Sequence, residues 1–210
     1  MNEPHEAGPD APFPWPPPDG EPPLAALFRT WRESVLGPSR FFRAMPTTGS
    51  ILPALLYYLI VGIVAAAFSL YWSTVFRAIG FSSNKAASAL DAWSPLLGFL
   101  LAPLFLILGL VITFAVVHLM LLVLGGAKRG AGTTFRVLCF AYGPYVFAVV
   151  PGLGAPVAFI WTIVLAVIGL REAHRTDGWR AGLAILLPFI LLFALIVFGV
   201  VMAVLTLAQF

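Results

Sequence analysis

The chain has 210 residues, of which 60 % are apolar and only 10 % charged, with a net charge of +3. So few charges exclude a soluble enzyme or a nucleic-acid-binding module and indicate an integral membrane protein. The one cysteine, Cys139, stands in an apolar run, which excludes an intramolecular disulfide and a multi-cysteine zinc site.

Residues 1–23 contain nine of the 18 prolines and five acidic residues, with no lysine or arginine. A stretch of that composition cannot bury a core and is expected to be disordered. Within it, PFPWPPP reads either as a solvated tail or as a polyproline II ligand for a partner domain. The opening residues lack the basic start and apolar centre of a secretory signal, so the first span is expected to act as the insertion signal.

Residues 24–50 form a second unit. Leu24, Leu27, Phe28, Trp31 and Val35 share one helical face, and Arg29, Thr30, Arg32 and Glu33 take the other, until Gly37-Pro38 ends the pattern. The next stretch, SRFFRAMP, sets Arg40 and Arg43 around Phe41 and Phe42. A basic amphipathic segment just ahead of a span predicts a helix in the headgroup plane, held by buried aromatics and anionic lipid. The alternative is that both pieces pack on the protein's own spans.

Residues 51–210 read as five transmembrane helices, at about 51–76, 93–124, 135–150, 155–170 and 181–207. Gly62 and Ala66 make a small-xxx-small pair on the first. Residues 77–92 form a polar connection with a short helix after Ser82 or Ser83. Pro95 and Pro103 predict bent or interfacial first turns in the second span, and Pro188 a kink in the last. The third and fourth runs hold sixteen residues each, about 24 Å as helix. A hydrocarbon core is about 30 Å thick, so this hairpin borrows residues from its flanks, sits in a thinned bilayer, or does not cross fully. Gly143-Pro144 predicts a kink in the first run. Pro151-Gly152-Leu153-Gly154 is too short to be more than a turn, so the two runs are antiparallel neighbours.

The basic residues give the orientation. Arg29, Arg32, Arg40, Arg43, Lys128, Arg129, Arg136, Arg171, Arg175 and Arg180 share one side, and only Arg77 and Lys85 the other. This places the chain in the cytoplasmic (inner) membrane as a multi-pass protein with its N-terminus in the cytoplasm and its C-terminus on the opposite side.

No reaction chemistry is legible. All nine carboxylates lie outside the spans, which excludes an aspartate-dyad intramembrane protease. There is no HExxH, no G-x-S-x-G elbow and no phosphate-cradling loop, and His5, His118 and His174 lack the spacing of a zinc site. No catalytic, metal or cofactor site is therefore expected. His118 is the one ionisable side chain well inside a span, and intramembrane ionisable groups are functional suspects. It reads either as a neutral ring bonded to Thr133, Thr134 or Tyr142 or as part of a transport path. With Arg136, which can snorkel to the cytoplasmic interface and there either bind lipid or form a buried ion pair, and Tyr142, it makes the candidate intramembrane polar site. Arg29 and Arg32 on the amphipathic helix, with Arg171, Arg175 and Arg180 beside Trp179, are the candidate anionic-lipid contacts. Gly143, Pro144, Pro151, Gly152 and Gly154 mark the kink and turn of the hairpin.

Four stretches, LGPSRFFRAMP, HLMLLVLGG, FRVLCFAYGPYVFAVVPGLG and IWTIVLAVIGLREAHRTDGWRA, occur in an order and spacing that resemble the Yip-domain family, in particular its bacterial branch. The resemblance covers roughly residues 31 to 190 and implies five transmembrane helices with a cytoplasmic N-terminus. Eukaryotic members of similar build act in vesicle trafficking, Rab GTPase recruitment and membrane shaping, and carry a DLYGP-type motif that is absent here. Two functions follow as expectations. One is a non-enzymatic membrane organiser or partner-recruiting scaffold, in contact with lipid and with a protein partner or a second copy of the chain. The other is a small channel or transporter with its polar site near His118.

Overall fold

The structure, a computed structural model, describes residues 13–80 and 89–207. Every regular element among them is helical: α1 (Pro23–Leu36), α2 (Pro38–Ala44), α3 (Leu52–Ala78), α4 (Ala89–Val123), α5 (Ala131–Ala141), a 3-10 segment (Gly143–Val149), α6 (Gly154–His174) and α7 (Gly178–Leu207). The short helix expected after Ser82 or Ser83, and Lys85, fall outside the described residues.

Four stretches are long and apolar enough to cross a membrane: Leu52–Ala78, Ser94–Val123, Gly154–His174 and Gly178–Gly199. The third of the five expected spans is not one continuous helix. It is α5 followed by the 3-10 segment, with the change at Gly143-Pro144, where a proline lacks the N–H that an α-helix needs. The 11 residues of α5 rise about 16 Å. The 7 residues of the 3-10 segment add about 14 Å, because that winding is longer per residue.

Hydrogen bonds at its two ends fix how far this broken run reaches. Near its start, Arg136 donates to the carbonyls of Gly49 and Ser50, just ahead of α3. At its end, the Trp72 indole donates to the Val149 carbonyl over 3.0 Å. From Leu52 to Trp72 α3 rises about 30 Å, so the broken run follows α3 over a bilayer's thickness. Its partner α6 has 21 residues, about 31 Å. The hairpin is therefore not short: the first arm gains about 6 Å by starting four residues earlier, at Ala131, and about 3.5 Å by changing its winding, and the second gains by taking Gly154 and residues 171–174 into the helix.

The core lies where α6, α3 and the broken run meet. Tyr57, Phe42, Phe140, Leu121, Leu165 and Leu170 are fully buried there. Gly62 lets α4 come close to α3: a Cβ at that position would sit 2.5 Å from Leu106 Cδ1. By contrast Leu100, Leu104, Phe105, Phe193 and Leu195 are exposed, as expected of helices whose outer surface meets lipid tails rather than water.

Part of the proline-rich stretch departs from its expected disorder. From Phe13 the chain is docked: Trp15 is buried and its indole donates to the Pro53 carbonyl over 2.7 Å. The Phe13 ring lies 4.9 Å from Phe41 and 5.6 Å from Phe140. Apolar groups attached to a polar stretch gain more by covering the α2–α3 junction than by staying in water. Residues 1–12 lie outside the described residues.

Candidate functional site

The amphipathic unit leans on the break in the hairpin. On α1 the buried residues are Ala26, Thr30, Ser34 and Val35, whereas Leu24, Phe28 and Leu36 are 79 %, 62 % and 71 % exposed. The apolar stripe read from the sequence is thus divided: Val35 faces inward, Leu27 and Trp31 are partly covered, and Leu24 and Phe28 face outward. Ala26, Thr30 and Ser34 recur every fourth residue, and their small size lets α1 lie close on α5 and the 3-10 segment. Their hydroxyls do not suffer from burial. Thr30 Oγ1 donates to the Ala26 carbonyl at 2.7 Å, and Ser34 Oγ donates to the Trp31 carbonyl at 3.1 Å and lies 3.4 Å from the Tyr57 hydroxyl.

Two indoles lock the contact. Trp31 Nε1 donates to the Gly143 carbonyl at 3.0 Å, and Trp161 Nε1 donates to the Val35 carbonyl at 3.2 Å. Gly143 and Val35 are themselves in contact: a Cβ on Gly143 would lie 3.0 Å from Val35 Cγ2 and 2.8 Å from the Tyr57 hydroxyl. Pro144 has no N–H for the carbonyl one turn before it, and at the same break the Gly143 carbonyl accepts the Trp31 indole from α1. Helix α2 is fixed by Phe41 and Phe42, both buried, and by Arg43, whose guanidinium donates to Glu172 at 3.1 and 3.2 Å. Gly169 leaves room for the Phe42 ring, which a Cβ there would approach to 3.1 Å.

The five candidate lipid contacts fall in two places. On α1, Arg29 pairs with Glu21 at 2.7 Å, while Arg32 is exposed. At the α6–α7 corner, Arg171 pairs with Glu172 and Arg180 with Asp177, and Arg180 also donates to the Gly125 carbonyl at 3.0 Å. Arg175 caps α6 in the left-handed conformation, with φ 51, and its carbonyl accepts from Lys128 Nζ. Arg40 and Arg43 complete this basic end of the molecule; Arg40 is exposed, and Arg43 shares Glu172 with Arg171. Lone residue types could not single out that Arg43–Glu172–Arg171 cluster, since 129 positions separate Arg43 from its carboxylate.

The polar site grouped from the sequence separates into three. His118 Nδ1 lies 3.0 Å from Thr134 Oγ1, so of the three partners considered for His118 it is Thr134 that lies within reach. The same hydroxyl is 2.9 Å from His174 Nε2, and His174 Nδ1 accepts the Arg129 backbone N–H at 3.2 Å. Because Nδ1 of neutral His174 is an acceptor, its Nε2 carries the proton and donates to Thr134, whose own proton goes to His118. One hydroxyl thus ties α4, α5 and α6 together. His174, buried at the end of α6, had no sequence signal beyond its residue type.

Arg136 is 5 % exposed and forms no ion pair among the described residues. Its guanidinium donates instead to the carbonyls of Thr47, Gly49 and Ser50, and so holds the linker into α3. Tyr142, the third member, is elsewhere again. Its ring stacks on Tyr145 at 4.1 Å and meets Tyr58 at 4.5 Å, beside a cavity of about 340 Å³ between α4, α6 and α7. His118 does not line that cavity.

The turn between the arms is equally constrained. Gly152 has φ +79, in the left-handed region, and Gly154 packs so closely under the Phe147 carbonyl that no side-chain atom fits. No group of three or more metal-ligating side chains occurs among the described residues.

A family model described as the Yip1 domain matches residues 32–201. No curated protein and no solved structure matches the chain.

Proposed function

The chain belongs to the Yip1 domain family of multi-pass membrane proteins, and from that premise we propose that it is a non-enzymatic membrane organiser acting on the cytoplasmic leaflet. The carrying observation is α1, whose outer face offers Leu24, Phe28 and Leu36 to the surroundings while its inner face is bonded to the kink at Gly143. A helix with exposed large apolar groups and neighbouring Arg32 and Arg40 suits the boundary between headgroups and acyl chains. The full length of the hairpin argues against bilayer thinning as the cause, so the reading rests on the insertion of α1 and α2. The bond to Gly143 makes the bundle sense whatever displaces α1.

The basic end supplies the lipid preference in this reading. Arg32, Arg40 and Arg175 are exposed there, and Arg43, Glu172 and Arg171 form a network beside them. With that end in the cytoplasm of the inner membrane, it meets the anionic leaflet, and the same surface serves to recruit a protein partner or a second copy. Purification from membranes of known composition tests this. The wild type is expected to retain anionic lipid over neutral lipid, and Arg32→Gln with Arg40→Gln to lose most of that preference. Equal retention of both lipid classes by the two proteins counts against the reading.

A further inference from the structure

The cavity beside Tyr142 is lined almost entirely by aliphatic and aromatic groups, with no charged residue and no histidine. Four residues with hydroxyls are nevertheless part of its lining, Thr113, Tyr142, Tyr145 and Thr162. Thr162 Oγ1 is buried without a hydrogen-bond partner, and the other three bond to no described residue. Tyr58, on the same wall, has already spent its proton on the Leu106 carbonyl at 3.1 Å. At this depth there is no water to satisfy hydroxyls, and leaving them unpaired in hydrocarbon is costly. Several unpaired donors around one space of about 340 Å³, the lower end of the small-molecule range, mark a ligand site.

We propose that this cavity binds a neutral apolar molecule through acceptor oxygens, of the carbonyl or ester kind. Neutrality follows from the lining, since a carboxylate or phosphate would be buried with no counter-charge. Acceptor oxygens follow from the hydroxyls, each of which has a proton to donate. An apolar body follows from the remaining walls and from Phe105 and Phe189 at the rim, both exposed toward the lipid. Two membrane-soluble compounds share this chemistry, a quinone and a diacylglycerol.

The test uses the full chain in detergent micelles and follows thermal melting with three probes: a short-chain benzoquinone, dioctanoylglycerol and n-decane. One oxygen-bearing probe is expected to raise the midpoint in proportion to its occupancy, and decane is not. Which of the two does so identifies the source. Tyr142→Phe and Tyr145→Phe keep the shape of the site, and each is expected to weaken that probe about fivefold, the factor for one ordinary hydrogen bond. Their unliganded midpoints should stay level or rise, whereas a structural role for the hydroxyls would lower them. Gly109→Leu fills the cavity from a position where a Cβ meets no atom within 4 Å, and is expected to abolish the response. The proposal fails if no probe shifts the midpoint, if decane matches the oxygen-bearing probes, or if the shape-preserving variants and Gly109→Leu respond like the wild type.

Discussion

The Trp31 indole and the Gly143 carbonyl, 112 positions apart, are joined by a 3.0 Å hydrogen bond at the point where the third apolar run changes from α to 3-10 winding. The bond makes the start of the 3-10 segment the anchor of the amphipathic helix. Trp31→Phe keeps a ring beside Phe147, 6.3 Å away, but removes the N–H. It is expected to cost about 1 kcal/mol, read as a lower melting midpoint in detergent, with α1 becoming more open to protease.

The turn makes a sharper prediction because its two glycines are needed for different reasons. Gly152→Ala meets open space but must hold φ +79, which costs about 1 kcal/mol. Gly154→Ala places a methyl group against the Phe147 backbone, which cannot swing aside as a side chain would. Its cost is expected at about 3 kcal/mol or above. The two midpoints should fall in that order, and equal losses would show that the turn relaxes.

Thr134 stands between two imidazoles and serves both. Thr134→Ser retains the hydroxyl and should melt close to the wild type. Thr134→Val leaves His174 Nε2 and His118 Nδ1 without their partner, at about 2 kcal/mol. His118→Ala is expected to be milder, since Thr134 and His174 stay bonded to each other. A larger loss from His118→Ala than from Thr134→Val would remove the hydroxyl from the centre of the arrangement.

Arg136 holds three carbonyls of the linker into α3 from one planar fork. A lysine keeps the charge but presents a single ammonium in place of the fork. Arg136→Lys is thus expected to destabilise nearly as much as Arg136→Met, by about 2 kcal/mol, and in both the stretch 46–51 should become a new site of proteolysis. Full stability in the lysine variant would mean that charge alone suffices there.

Much of this was legible in the residues and some of it was not, for identifiable reasons. Apolar length and the basic residues gave the order of the spans, and one proline after one glycine gave the break at 143–144. The winding beyond the break was hidden, because sixteen residues do not reveal their rise until one knows that Pro144 starts a 3-10 segment. Periodicity found the stripe on α1 but misjudged which part of it faces inward. Next to lipid both surfaces of a helix accept apolar groups, and it is the small residues Ala26, Thr30 and Ser34 that mark the packed face. Thr134 was within the set considered for His118, but His174 joined it only through the fold, 40 positions away. Arg136 was read as a lipid ligand or half of an ion pair, and its actual partners are backbone carbonyls, which have no sequence signature at all.

The most direct test of the organiser account is the shape of vesicles into which the protein is reconstituted, imaged by electron cryomicroscopy with anionic lipid present. The double variant Leu24→Gln and Phe28→Gln changes only exposed side chains of α1 and leaves the bonds of Trp31 and Ser34 in place. The account predicts narrower vesicles or tubules with the wild type, and the diameters of protein-free vesicles with the double variant. Identical diameters for both proteins would contradict it.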